Sequence, residues 1–169
     1  MKPSEQQFPS AGFEQHFHAG PLSILYRHWQ EMRSDKVAPA REDLDFAKII
    51  PVLPNLGLVD VAENPRRYRM RLLGADIVTG YGCDMTGVYV DELDVGDGLP
   101  AILFYLNQAV ELAVPAYLSS EYTKQDGRLI RNERLALPLS SNGEKVDMII
   151  VGAFALPDVA PVTGISLDI

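Results

Sequence analysis

The 169-residue sequence predicts an α+β fold: one five-stranded antiparallel sheet, with helices on one face and an amphipathic N-terminal helix on the other. Three observations carry that expectation. After Pro21, the residues Leu22, Leu25, Tyr26, Trp29 and Met32 recur at spacings of three and four, which gives a helix one apolar stripe. Strand-like runs before and after the middle of the chain are separated by Asn-Pro, Asp-Gly and Asn-Gly, the dipeptides of tight turns. Finally, both alternating sets in Met148–Phe154 are apolar, so that strand needs cover on both faces.

Taken in order, Met1–Gly20 reads as a flexible arm of Gln, Ser, Gly and Pro, interrupted by Phe8, Phe13 and Phe17. Those rings suit weak docking onto the domain or capture of a partner. The helix that follows must bury its stripe on its own sheet or on a second copy of itself, which makes it the best dimer element. Asp35–Pro54 is an extended connector in which Arg41, Glu42, Asp43 and Asp45 suit a capping knot before a short helix at Phe46–Ile50. Leu56–Val61 and Arg66–Leu73 form a hairpin. In the second strand Tyr68, Met70 and Leu72 point to one side, and Arg69, Arg71 and Leu73 to the other. Gly74 releases the chain into a short helix at Ala75, which ends among Gly80, Gly82 and Gly87. Asp97 is placed to cap the longest helix, Leu99 to Val114, and Pro115 stops it. Ala116–Lys124, Arg128–Leu139 and Val146–Leu156 complete the sheet. Pro157–Ile169, with two prolines and no period, is left irregular.

Composition excludes several functions. A formal charge of −8 and a pI near 4.8 set the surface against phosphate backbones and anionic membranes, so neither nucleic acid nor a membrane is expected as a partner. Cys83 is the sole cysteine, so no internal disulfide forms, which fits a reducing cytoplasm. No stretch is long and apolar enough to span a bilayer, and the N-terminus lacks the apolar core of a secretory signal.

Several residues together carry a resemblance. They are Trp29 and Arg33, Pro39-x-Arg41 with Asp45, Leu53-Pro54, Asp60, and Tyr68-Arg69-x-Arg71-Leu72-x-Gly74. Gly82-x-Asp84-x-Thr86-Gly87 and Glu133-x-Leu135-x-Leu137-Pro138-Leu139 complete the set. Over Leu22 to Leu156 the chain resembles a bacterial family of stand-alone PAS-like proteins, most without assigned activity. Two departures stand out: Phe46-Ala47 follows Asp45 where the family favours proline, and Ala75 replaces a threonine beside the pocket. The resemblance implies a PAS-like domain over residues 21–156 and a non-catalytic sensory or regulatory role. The expected ligand is a small molecule in a pocket, the expected partner a signalling protein such as a histidine kinase, or both; with no kinase, DNA-binding or cyclase segment in the sequence, the output is expected to act in trans.

The chemistry-bearing residues give less. Arg66, Arg67, Arg69 and Arg71 form the one basic cluster, suited to an anion or to pairing with Asp60 or Glu133 on other strands. Arg71, nearest the Gly74 exit, is a pocket candidate, as are Tyr81 and Tyr105 on the helices that would wall the pocket. Gly-Cys-Asp-Met-Thr-Gly around Cys83 differs from the Asn-Cys-Arg-Phe-Leu-Gln run of flavin light sensors, so no flavin is implied. His16, His18 and His28 give no haem signature either. Asp91, Glu92, Asp94 and Asp97 are crowded but lack calcium-loop spacing, and read as a solvated loop rather than a metal site. The alternatives are a small enzyme acting on a hydrophobic metabolite through Asp76, Asp84 or Tyr105, which needs a carboxylate of raised pKa in the cavity, and a ligand-free dimeric scaffold.

Overall fold

The computed structural model describes residues 10–169. Phe8, one of the three arm rings, lies outside them. The described helices are α1 (Ser10–Phe13), α2 (Gly20–Arg33), α3 (Ala75–Tyr81) and α4 (Leu99–Leu112). The strands are β1 (Leu56–Ala62), β2 (Arg67–Leu73), β3 (Ala116–Thr123), β4 (Leu129–Leu139), β5 (Met148–Ala155) and β6 (Gly164–Leu167). They form one antiparallel sheet in the order β2-β1-β5-β4-β3-β6.

Alternation along the strands divides two apolar cores. Leu56, Leu58, Tyr117, Leu135, Leu137 and Ile150 face outward, onto Leu22, Leu25, Tyr26 and Trp29 of α2. Val59, Leu118, Ala136, Ile149 and Val151 face inward, toward Ile102, Tyr105, Leu106 and Ala109 of α4. β5 is therefore covered on both sides, as its apolar sequence requires. The stripe of α2 is used on its own sheet, and Trp29 Nε1 donates to the Pro138 carbonyl at 2.8 Å. Beside it, His28 Nε2 accepts from the Asp45 amide at 3.1 Å, and burial, then the charge of Lys48, lower its pKa.

Three sequence expectations are corrected, on the number of strands, the cap of α4 and the reason for Gly74. The sheet has six strands rather than five, because the tail returns along β3 as β6. Ser119 Oγ accepts the Thr163 and Gly164 amides, and Tyr26 donates to Asp168 at 2.5 Å. In the arm, Phe13 is fully buried and stacks edge-on against Phe17 and obliquely against Tyr26. Asp97 does not cap α4: Gly98 occupies the cap without a side-chain bond, and Asp97 lies in a preceding 3-10 turn. Gly74 has extended angles that any residue adopts (φ −66°, ψ 156°), so its reason is space and not φ. A Cβ there would stand 2.3 Å from the Pro54 carbonyl oxygen and 2.5 Å from that of Leu53.

This last point reverses the usual expectation for Gly→Ala, which stabilises by about 0.4–1 kcal/mol where the fold accepts a methyl group. Gly74→Ala should instead destabilise by about 1–3 kcal/mol, because rigid backbone rather than a flexible side chain must yield. Urea unfolding decides it, and a neutral or stabilising result would refute the close approach.

Candidate functional site

A cavity of ≈ 590 Å³ lies between the inner sheet face and the helices α3 and α4. Val59, Met70, Val90, Ile102, Leu106 and Val151 make its wall largely apolar. Exposed Asp76, Gly80, Leu129 and Asp158 mark its rim. α3 reaches this position because the chain turns off β2 at Gly74, under the Leu53–Pro54 backbone. It stops at Gly82, whose left-handed φ of 106° and amide bond to the Val78 carbonyl end the helix.

Of the three pocket candidates, Tyr81 and Tyr105 stand in the cavity wall and Arg71 does not. Leu58 faces Leu72 while Val59 faces Met70, so Arg71 is the extra residue of a β-bulge. The bulge carries Arg71 to the surface, 3.4 Å from Asp60, and reverses the predicted sides beyond it: Leu73 lines the cavity and Leu72 is exposed. Tyr81 has a bracing role as well. Its hydroxyl accepts the Asp94 amide at 2.8 Å, and Lys124 Nζ sits 4.0 Å from its ring while donating to its carbonyl at 2.6 Å. Tyr105 is 2% exposed and makes no protein hydrogen bond among the described residues. Burial pushes its hydroxyl up to about 12, with the Arg134 guanidinium pulling the other way.

The other arginines of the basic cluster are spent on structure. Arg66 pairs with Glu63 and Glu111, while Arg67 grips Asp91 by two bonds of 2.8 and 2.7 Å and also reaches Glu92. Arg69 donates to the Gly87 carbonyl. Glu133 meets none of them, because it lies on the outer face and is fully buried. Of the crowded acids, Asp91 and Glu92 are taken up by Arg67 and Asp94 accepts the Gln125 amide, and no cluster of metal-ligating side chains occurs among the described residues. Asp84 lies outside the cavity lining, and bonds from Thr86 hold its carboxyl below the usual range, opposite to what the enzyme reading requires.

The polar residue that sequence reasoning missed is Arg134. It lines the cavity from β4, its Nη1 donates to Ser120 Oγ at 2.9 Å, and its guanidinium lies 5.7 Å from the Tyr122 ring. Hydrogen bonding orients the Asn132 amide with its oxygen 3.3 Å from Arg134 Nη2 and its nitrogen 3.0 Å from the Arg131 carbonyl. The signal was strand parity: Arg134 shares its face with Ala136, opposite Leu135 and Leu137.

A PAS domain family profile matches residues 18–155, most of the chain. The chain belongs to the PAS domain family. That family is generally sensory and regulatory. No curated protein matches the sequence. Among solved structures, the PAS domain is similar to the Rhodobacter sphaeroides LOV protein, at 17% identity and a TM-score of 0.52, over 69% of this chain and 71% of that one. It is also similar to the light-state blue-light photoreceptor Aureochrome1 LOV, at 16% identity and 0.50, over 64% and 85%. These likenesses are of fold. The residues do not fit thiol chemistry on a flavin: Cys83 is exposed and outside the lining, and the lining contains no other cysteine. Nor does His28 face the cavity; it sits on α2, across the sheet. Among the described residues, no helix is long and apolar enough to cross a membrane.

Proposed function

We propose that this PAS domain is a sensory module that holds a small molecule in the cavity and presents the outcome on α2 to a signalling protein, for which a histidine kinase is the candidate. The observation that carries this reading is the cavity itself. Protein interiors are close-packed, with few voids larger than a water molecule, whereas ≈ 590 Å³ lies within the range of small-molecule sites. A closed scaffold would have filled it. The coupling route is short, because neighbouring residues of one strand face opposite ways. Arg134 and Val151 line the cavity, while Leu135 and Gly152 lie against α2, whose Leu22 side chain is so near that a Cβ on Gly152 would stand 2.7 Å from it. A guest that displaces β4 or β5 therefore changes the seat of α2.

The test combines native mass spectrometry of freshly purified protein with a cavity-filling variant, Val151→Phe. The protein is expected to retain a small molecule, or to be stabilised by added amphiphiles, and Val151→Phe to abolish either effect. The larger ring should cost less than about 1 kcal/mol, since it enters open space rather than a packed core, where overpacking costs about 1–3 kcal/mol. A fully destabilised Val151→Phe, with bare chain mass and no amphiphile response in the wild type, identifies a scaffold.

A further inference from the structure

We infer that the guest of this cavity is an amphipathic monoanion, a carboxylate on an apolar body, seated with its charge on Arg134. The inference rests on the reading of the cavity as a ligand site. In a protein of formal charge −8, most guanidinium groups find a carboxylate, as Arg66, Arg67, Arg71, Arg128 and Arg131 do. Arg134 has none within 4.0 Å among the described residues, although it is half-buried in an apolar wall. A guanidinium carries five N–H donors; neutral Ser120 and Asn132 take two of those bonds. Removing a cation from water without a counter-charge is costly, and a bound carboxylate offsets that cost with a two-pronged match.

The surroundings narrow the class. Tyr105 supplies a second donor in the same wall: its hydroxyl has no hydrogen-bond partner among the described residues, and Arg134 lies near enough to act on its titration. The second arginine of the lining, Arg131, is occupied by Glu121 and by the carbonyls of Pro157, Asp158 and Ala160. One free cation and two rim carboxylates, Asp76 and Asp158, suit a single negative charge better than a phosphate dianion. The remaining wall of Val59, Ile102, Leu106 and Val151 takes the apolar body.

Titration of the full chain with octanoate and 4-phenylbutyrate, each beside its primary amide and its alcohol, tests this. The acids should bind roughly ten- to hundredfold more tightly than the amides. Arg134→Gln should erase that preference, and Arg134→Lys should keep part of it as a point charge without the fork. If Arg134→Gln does not fold, the acid-to-amide ratio in the wild-type protein still decides. Amides and alcohols binding as tightly as acids, or an Arg134→Gln protein that holds the acid within twofold of wild type, overturns the anion assignment and leaves the ligand site standing. No binding by any probe, with bare chain mass in native spectrometry, overturns both.

Discussion

Trp29→Ala is expected to destabilise the protein by about 3–5 kcal/mol, the range for removing a large buried aromatic side chain. For a chain of this size that corresponds to a melting point lower by about 6–20 °C. The ring is 1% exposed and lies where α2 crosses the outer face of the sheet, among Leu135, Leu137 and Leu139. Its Nε1–H is satisfied by the Pro138 carbonyl, and proline contributes an acceptor to β4 but no donor. Truncation therefore opens a cavity and orphans a buried carbonyl together. Trp29→Phe separates the two effects: it keeps most of the packing, drops the hydrogen bond, and should cost about 1–2 kcal/mol. Urea unfolding followed by far-UV circular dichroism gives both values, since Trp29 is the only tryptophan and its own fluorescence vanishes in the variants. A loss under about 1 kcal/mol in Trp29→Ala would mean that α2 is loosely seated, and the route from cavity to helix would lose its physical basis.

Much of this architecture was legible because it depends on periodicity. The stripe from Leu22 to Trp29 is a 3.6-residue pattern, and it is buried as one face. The doubly apolar Met148–Phe154 run marked the strand shared by both cores. What stayed hidden depended on single residues placed by contacts distant in sequence. The β-bulge at Arg71 leaves no mark in Tyr-Arg-Met-Arg-Leu-Leu, yet it exchanges the faces of Leu72 and Leu73. β6 is only four residues long and is held by Ser119 and by pairing with β3, neither of which a local pattern reveals. Tyr81 and Tyr105 are legible as aromatics on wall helices, while an arginine on a strand ordinarily reads as solvent-facing, which hides Arg134. Strand parity was enough to place it on the inner face beside Ala136.

The same parity places Glu133 on the outer face with Leu135, Leu137 and Leu139, where a carboxylate is least expected, and its removal gives the second large effect. Glu133 is fully buried and has no cationic partner within 4.0 Å among the described residues. Its charge is met by hydrogen bonds instead. Oε2 accepts from the His18 amide and the Tyr117 hydroxyl, both at 2.9 Å, and Oε1 accepts from the Ala19 amide at 2.6 Å. Those two amides immediately precede α2, where the helix dipole presents positive charge. Burial, and then the neighbouring Glu133 carboxylate and its bond, push the Tyr117 phenol up beyond its ordinary range, since ionising it would set two negative charges together out of water. Glu133→Ala leaves the buried Tyr117 hydroxyl and the two part-buried amides of His18 and Ala19 without an acceptor, at about 1–3 kcal/mol for each that water does not reach. A total loss of about 3–5 kcal/mol is expected, comparable with breaking a buried ion pair. Glu133→Gln should fall between, because an amide offers one acceptor oxygen where the carboxylate offers two, and its NH2 group confronts existing donors. Hydrogen exchange localises the effect: the His18 and Ala19 amides should lose protection before the β4–β5 ladder does, as the start of α2 lifts from the sheet. Uniform loss across the sheet, or a Glu133→Ala protein within about 1 kcal/mol of wild type, would show that the carboxylate does not hold the helix in place.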